Sequence, residues 1–136
     1  MPPLLDLRFD PGTLHVARAR MRACVGHAGL PDGHAENVVL AVHELAANAI
    51  CHGGGAGRLR EWNLAGALHC QVDDGDPPAS AGRAVVNAMR SEPGHGLWVV
   101  RQVADQLQSL SGPAGTSVLV RFDRGTARHF AEPGSK

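Results

Sequence analysis

A carboxylate and an amide lie one helical turn apart near the middle of the chain. Glu44 and Asn48 are four residues apart in the segment ELAANAICHGG, and in a helix this spacing places both side chains on one face. Mg²⁺ accepts an amide oxygen as a ligand, and a neighbouring carboxylate can act as a general base. Taken alone, such a pair is more often an ordinary solvated helix face, so the interpretation depends on the rest of the chain.

A second motif follows a predicted strand. The run VDDGDP covers residues 72–77 and closes that strand with acidic residues. Asp73, at the strand end, can accept a hydrogen bond from an exocyclic amine, and Gly75 removes the side chain that would block a flat ring. The competing interpretation is an ordinary Asp-Gly turn.

Two further motifs consist of small residues. Gly94 and Gly96 stand directly ahead of a well-patterned helix, where backbone amides and the helix dipole favour phosphate oxygens. Residues 115–117, GTS, open the final strand with hydroxyls that reach a ligand or satisfy local backbone groups. The chain has neither the GxGxxG spacing nor a GxxxxGK[ST] loop, which disfavours a dinucleotide fold and a P-loop.

Hydrophobic periodicity predicts the elements that position these motifs. Helices are expected over residues 13–28 and 33–51 and from Gly96 through the run GLWVVRQVADQL. Strands are expected over residues 4–9, 58–64, 67–73, 106–111 and 116–122. The intervening stretch 74–95, rich in Gly and Pro, is expected to be a long loop with one helical turn over 85–89. This order predicts an α+β fold, a mostly antiparallel sheet with helices on one face.

Several local signals support these boundaries. Thr13 is expected to cap the first helix, and the Ala65-Gly66 pair to form the turn of a hairpin. The apolar stripe of the second helix is expected to contain Val38, Val42, Leu45 and Ala49, and that of the third Leu97, Val100, Ala104 and Leu107. The polar tail over 123–136 is expected to fray.

Composition excludes several function classes. The length of 136 residues suits a single domain, 1–136, and the 13 Lys and Arg residues balance 13 Asp and Glu, so no broad nucleic-acid or membrane footprint is expected. The three cysteines form no CxxC pair, which argues against a disulfide framework or zinc knuckle. Without a signal peptide or an apolar run of about 18 residues, the chain is expected to be cytoplasmic and free of the membrane.

The four motifs, in this order and spacing, resemble the N, G1, G2 and G3 boxes of the GHKL ATPases. The boxes are ELAANAICHGG over 44–54, VDDGDP over 72–77, GHGLWVVRQVAD over 94–105 and GTSVLVRF over 115–122. The resemblance covers residues 4–122 and is closest to the stand-alone RsbW-type anti-sigma-factor serine kinases. It implies a two-layer α/β sandwich of the Bergerat type that binds ATP with Mg²⁺.

The resemblance also implies roles for individual residues. Glu44 would be the general base, Asn48 a magnesium ligand, and Asp73 the acceptor of the adenine amine, with Gly75 beneath the ring. Nucleotide contacts are further implied for His52, Gly94, Gly96, Leu97 and Thr116. One departure is Pro77, which replaces a glycine of the G1 box; because proline fixes φ and has no amide donor, nucleotide binding is expected to be weaker than the family norm.

The resemblance implies a protein serine/threonine kinase. Its acceptor would be a STAS-domain anti-anti-sigma protein and its second partner a sigma factor. Homodimers are usual in the resembled family, and no direct binding of nucleic acid is expected. The alternative is a non-catalytic nucleotide-binding module that sequesters a regulatory protein without phosphoryl transfer. Nothing in the sequence separates these two functions.

Overall fold

The computed structural model describes residues 3–30, 33–52, 54–75, 96–112 and 115–123. These ranges contain five strands and three helices, which in chain order are β1 (Leu5–Phe9), α1 (Leu14–Gly26), α2 (His34–His52), β2 (Gly57–Leu64), β3 (Ala67–Gly75), α3 (Gly96–Val103), β4 (Gln106–Gly112) and β5 (Gly115–Asp123). The expected helical turn over 85–89, most of the expected loop and the tail after Asp123 lie outside the described residues.

The strands form one antiparallel sheet in the order β1-β2-β3-β5-β4. Leu59, Val72 and Val118 are register partners across the three central strands, and they are buried in one cluster with Met21 of α1 and Val42 of α2. Because side chains alternate along a strand, these partners define the helix-bearing face of the sheet, and their neighbours in sequence define the opposite face. The predicted α+β fold is confirmed.

The core fills the space between this face and the helices. α2 packs against α1, α3, β2 and β3, and it contributes the predicted stripe of Val38, Val42, Leu45 and Ala49, all buried. Val100 of α3 is fully buried in the same cluster. The central position of α2 follows from its composition, because a 19-residue helix with apolar residues on more than one side can bury most of its surface.

Backbone geometry explains two glycines. Ala65 and Gly66 have φ angles of 54° and 80°, the type I′ turn that matches the twist of a two-residue hairpin. At Gly57, an added Cβ would lie 2.5 Å from Cζ of Phe9 and 2.8 Å from the carbonyl oxygen of Asp73. The lack of a side chain at Gly57 therefore leaves room for the Phe9 ring against the backbone of β2.

Two local expectations differ from the structure. Thr13 precedes α1, but its hydroxyl bonds to no helix amide; it accepts from the amide of Asp10 at 2.9 Å and donates to that residue's carboxylate at 3.1 Å. The third helix ends at Val103, because the amide of Asp105 already donates to the carbonyl of Arg121 at 2.9 Å. Leu107 is consequently a buried residue of β4 and not of the third helix.

Candidate functional site

Glu44 and Asn48 lie together on α2 as predicted. Each is half-buried, and each borders fully buried residues of the helix core, Leu45 and Ala49. The helix packs against the helix-bearing face of β3. The pair therefore combines access to solvent with a backbone that the core holds in place.

A second polar group lies on the helix-bearing face, at the end of β3. Asp74, Thr116 and Ser111 are register partners across β3, β5 and β4. The amide of Thr116 donates to Oδ1 of Asp74 at 3.1 Å, and the hydroxyls of Thr116 and Ser111 lie 3.2 Å apart. Within the described residues, no group hydrogen-bonds to the other carboxylate oxygen, Oδ2.

The environment of Asp74 differs from that of a surface carboxylate. Its pKa is raised above the ordinary value, first because partial burial disfavours the charged form and further because Asp73 is close by. The amide of Thr116 acts in the opposite direction by stabilising the carboxylate. Asp74 thus presents a partly desolvated oxygen that a donor from a ligand can satisfy.

Asp73 lies near the end of β3, as the sequence predicts, but on the face of the sheet opposite the helices. It is the register partner of Arg58 and Ser117, on the opposite face of the sheet, and only 8% of it is exposed. Arg60 Nη2 donates to its Oδ2 at 2.6 Å, and Gln71 Nε2 donates to its Oδ1 at 3.0 Å. The structure therefore does not bring the Asp73 carboxylate to the face on which α2 lies, and the residue that occupies this face is Asp74.

A period-two signal in the sequence could have separated the two aspartates. Leu68, Cys70 and Val72 are alternate residues of β3 and are all buried in the core. Continuing the alternation places Asp74 on the same face and Asp73 on the other. The sequence interpretation instead assigned Asp73 from the resemblance of VDDGDP to the G1 box.

The other predicted residues are distributed as follows. Gly75 ends β3 with a left-handed φ of 63°, which glycine adopts without strain. Thr116 lies in β5, beside Asp74, and Gly96 is the first residue of α3. His52 is the last residue of α2 and Leu97 the second of α3, but their side chains are outside the described part of the chain, as is all of Gly94.

A cavity of about 750 Å³ lies elsewhere, at the end of β1, β2 and β3. Its lining includes Arg8, Arg58 and Asp73 and also Gly75, but it excludes Glu44, Asn48 and Asp74. The Asp73 carboxylate in this wall already accepts hydrogen bonds from two side chains. For this reason we do not place the nucleotide there.

Comparison with known families decides the class of the domain. Residues 7–122 match the family model of the histidine kinase-like ATPase domain. The chain belongs to this family. No protein of curated function matches it significantly.

Two solved structures have a similar fold. The RsbU and RsbW domains of Rv1364c from Mycobacterium tuberculosis superpose with a TM-score of 0.65 at 18% identity, covering 90% of this chain and 32% of that one. The blue-light-activated histidine kinase EL346 of Erythrobacter litoralis superposes with a TM-score of 0.56 at 22% identity, covering 82% of this chain and 42% of that one. The chain thus spans less than half the length of either protein, and at these identities the likeness is one of fold.

The family implies ATP binding, typically with Mg²⁺, and the residues present fit such a ligand. Asp74 Oδ2 can accept from an exocyclic amine, and the half-buried Asn48 offers an amide oxygen. In the described ranges, no three His, Cys, Asp or Glu side chains cluster as a metal site. None of the described helices combines the length and apolar character that a membrane crossing requires.

Proposed function

We propose that this chain binds ATP with Mg²⁺ between α2 and the end of the β3–β5 strand pair. The observation that carries the proposal is the Asp74–Thr116 pair, which leaves one carboxylate oxygen available on the face where α2 lies. In this arrangement Asp74 accepts from the adenine amine, in place of Asp73. Thr116 contacts the base beside it, and Asn48 holds the magnesium ion.

The phosphates would lie toward the start of α3. Gly96 begins that helix, and the first amides of a helix have no intrahelical acceptor, so they favour anionic oxygens. Gly94, His52 and Leu97 remain predicted contacts of the same nucleotide, and Gly75 remains the residue that admits the ring.

The proposed activity is phosphoryl transfer to a serine or threonine of a STAS-domain anti-anti-sigma protein. Glu44 accepts the proton of the acceptor hydroxyl, whose oxygen forms a bond to the γ-phosphorus while the bond to the β–γ bridging oxygen breaks and ADP leaves. The half-buried position of Glu44, one turn from the magnesium ligand Asn48, supports this role. The unphosphorylated antagonist and a sigma factor would compete for the domain, in the cytoplasm, with a homodimer as the working form.

The alternative function is an ATP-dependent binding module without transfer. Both proposals share the nucleotide site, and they differ only in whether Glu44 acts on a substrate hydroxyl. The presence of Glu44 one turn from Asn48 favours the first proposal, because a module without phosphoryl transfer needs no general base.

Transfer of γ-labelled phosphate tests the proposal. With Mg·ATP and a STAS-domain antagonist, the wild-type chain should label the antagonist. Glu44→Gln should bind ATP normally but lose transfer by about 10²–10⁴-fold, the usual contribution of a general base. Asn48→Ala should weaken both binding and transfer, because it removes a magnesium ligand.

Three outcomes separate the proposals. Transfer by Glu44→Gln at the wild-type rate would contradict the assigned mechanism. Tight ATP binding by the wild type without transfer to any antagonist would favour the binding module. Absence of binding at millimolar Mg·ATP would contradict the nucleotide site itself.

A further inference from the structure

The two aspartates at the end of β3 lie on opposite faces of the same backbone segment. Asp73 pairs with Ser117 and Asp74 pairs with Thr116, so two successive register positions carry one group on each face. Consecutive residues share a peptide plane, and this plane is rigid. Contacts that hold the Asp73 side chain on one face therefore also restrict the backbone of Asp74, from which its side chain extends on the other face.

Asp73 is fixed by a network that joins three strands. Arg60 of β2 donates to Asp73 at 2.6 Å, and Gln71 Nε2 lies 3.0 Å from both Asp73 Oδ1 and the hydroxyl of Ser117 in β5. The Arg60 and Asp73 side chains are only 24% and 11% exposed, so this ion pair is less screened than a surface pair. The Arg60 guanidinium also lies over the ring of Trp62, 5.5 Å from its centroid.

The network also places two opposite charges, those of Asp73 and Arg60, close to Asp74. The Asp73 carboxylate raises the pKa of Asp74, while Arg60 supplies a compensating positive charge at 2.6 Å from Asp73. Loss of Arg60 would leave a mostly buried negative charge uncompensated beside Asp74. An ionised carboxylate accepts the stronger hydrogen bond from an amine, and the Arg60 guanidinium offsets the negative charge that Asp73 places beside it.

We infer that Arg60, Asp73, Gln71 and Ser117 form a positioning network that holds Asp74 and Thr116 in place for the adenine base. This inference rests on the proposed ATP site. It assigns Asp73 and Arg60 to base recognition through Asp74, without contact with the nucleotide.

Base selectivity provides the first test. Affinity is measured by calorimetry for ATP and for purine riboside triphosphate, which lacks the 6-amino group, with Mg²⁺ present. The wild type should prefer ATP about tenfold or more, as expected for a hydrogen bond to a charged group, and Asp74→Asn should abolish this preference. Asp73→Asn and Arg60→Met should each reduce the preference several-fold without abolishing it.

A double-mutant cycle identifies the ion pair as one unit. Arg60→Met and Asp73→Asn combined should reduce the ATP preference no more than either change alone, because each already disrupts the same network. Arg121→Met is the matched control, since Arg121 lies on the same face of the sheet but donates to Asp123 at 2.9 Å and to Gln106 at 2.7 Å. Additive effects, or loss of the entire preference in Asp73→Asn with Asp74→Asn unaffected, would overturn the inference.

The amide of Thr116 provides a second test that needs no nucleotide. This N–H donates to the Asp74 carboxylate, so its hydrogen exchange reports whether Asp74 is held in place. Exchange should be several-fold faster in Asp73→Asn and Arg60→Met than in the wild type and Arg121→Met. Unchanged exchange would overturn the positioning role, whereas a wild type that binds no nucleotide but shows the expected exchange would contradict only the ATP site. If Asp73→Asn does not fold, Arg60→Lys and Ser117→Ala perturb the same network more mildly.

Discussion

Glu61 makes the stability of this protein depend on pH near neutrality. The residue lies on the helix-bearing face of β2 with no exposed surface, in register with Leu5 and Cys70. Cys70 Sγ donates to its Oε2 at 3.6 Å, whereas its Oε1 has no partner within the described residues. Burial raises the pKa of Glu61 from 4.5 to about 7, and weak hydrogen bonds from the thiols of Cys24 and Cys70 offset this only in part.

The sign and size of the effect follow from this shift. The folded protein holds the Glu61 proton more tightly than the unfolded chain, so its contribution to stability is complete below pH 4.5. The contribution is lost as the pH rises toward about 7, the value in the folded state. A shift from 4.5 to about 7 corresponds to roughly 3 kcal/mol of unfolding free energy, because one pKa unit is worth about 1.4 kcal/mol.

Glu61→Gln tests this prediction. The amide keeps the shape of the side chain but cannot ionise, so we expect the variant to gain stability relative to the wild type by roughly 3 kcal/mol between pH 4 and pH 8. Urea unfolding of both proteins at several pH values gives this difference in unfolding free energy. Groups that titrate in both proteins contribute equally and cancel in the difference. Glu36→Gln is the control, because the Glu36 side chain is 75% exposed. A difference between Glu61→Gln and wild type that does not change with pH would refute the reasoning.

Three further predictions concern ligand binding and packing. Mg·ATP at a hundred times its Kd should stabilise the protein by about 2.7 kcal/mol, and a melting temperature unchanged by nucleotide would count against the site. Cys51, the exposed cysteine, lies three residues after Asn48 on α2, and Mg·ATP should slow its labelling by a maleimide; equal rates would argue against a nucleotide on this helix face. Gly57→Ala should destabilise the fold by about 1–3 kcal/mol through its clash with Phe9, whereas Gly26→Ala, with no atom within 4 Å, should not; denaturant midpoints of both variants decide this.

The element order could be read from the sequence because its signals are local. Val38, Val42, Leu45 and Ala49 repeat at helical spacing whatever else the chain does, and all four are buried. The turn at Ala65-Gly66 likewise depends on two adjacent residues, and it has the two positive φ angles that a tight hairpin requires. Four short motifs in a fixed order then identified the family, which the match over residues 7–122 confirms.

The tertiary structure decided which side chains meet. Asp73 and Asp74 are neighbours of the same type, and spacing from Gly75 did not separate them; the register of β3 with β5 assigns them to opposite faces. The Arg60–Asp73 pair joins residues from two strands, and the Asp74–Thr116 contact joins residues 42 positions apart. Such contacts depend on which strands pair and in which register, and a shift of one residue would exchange the two faces. Local sequence patterns therefore determined the elements and the family, whereas strand pairing determined the carboxylate that faces α2.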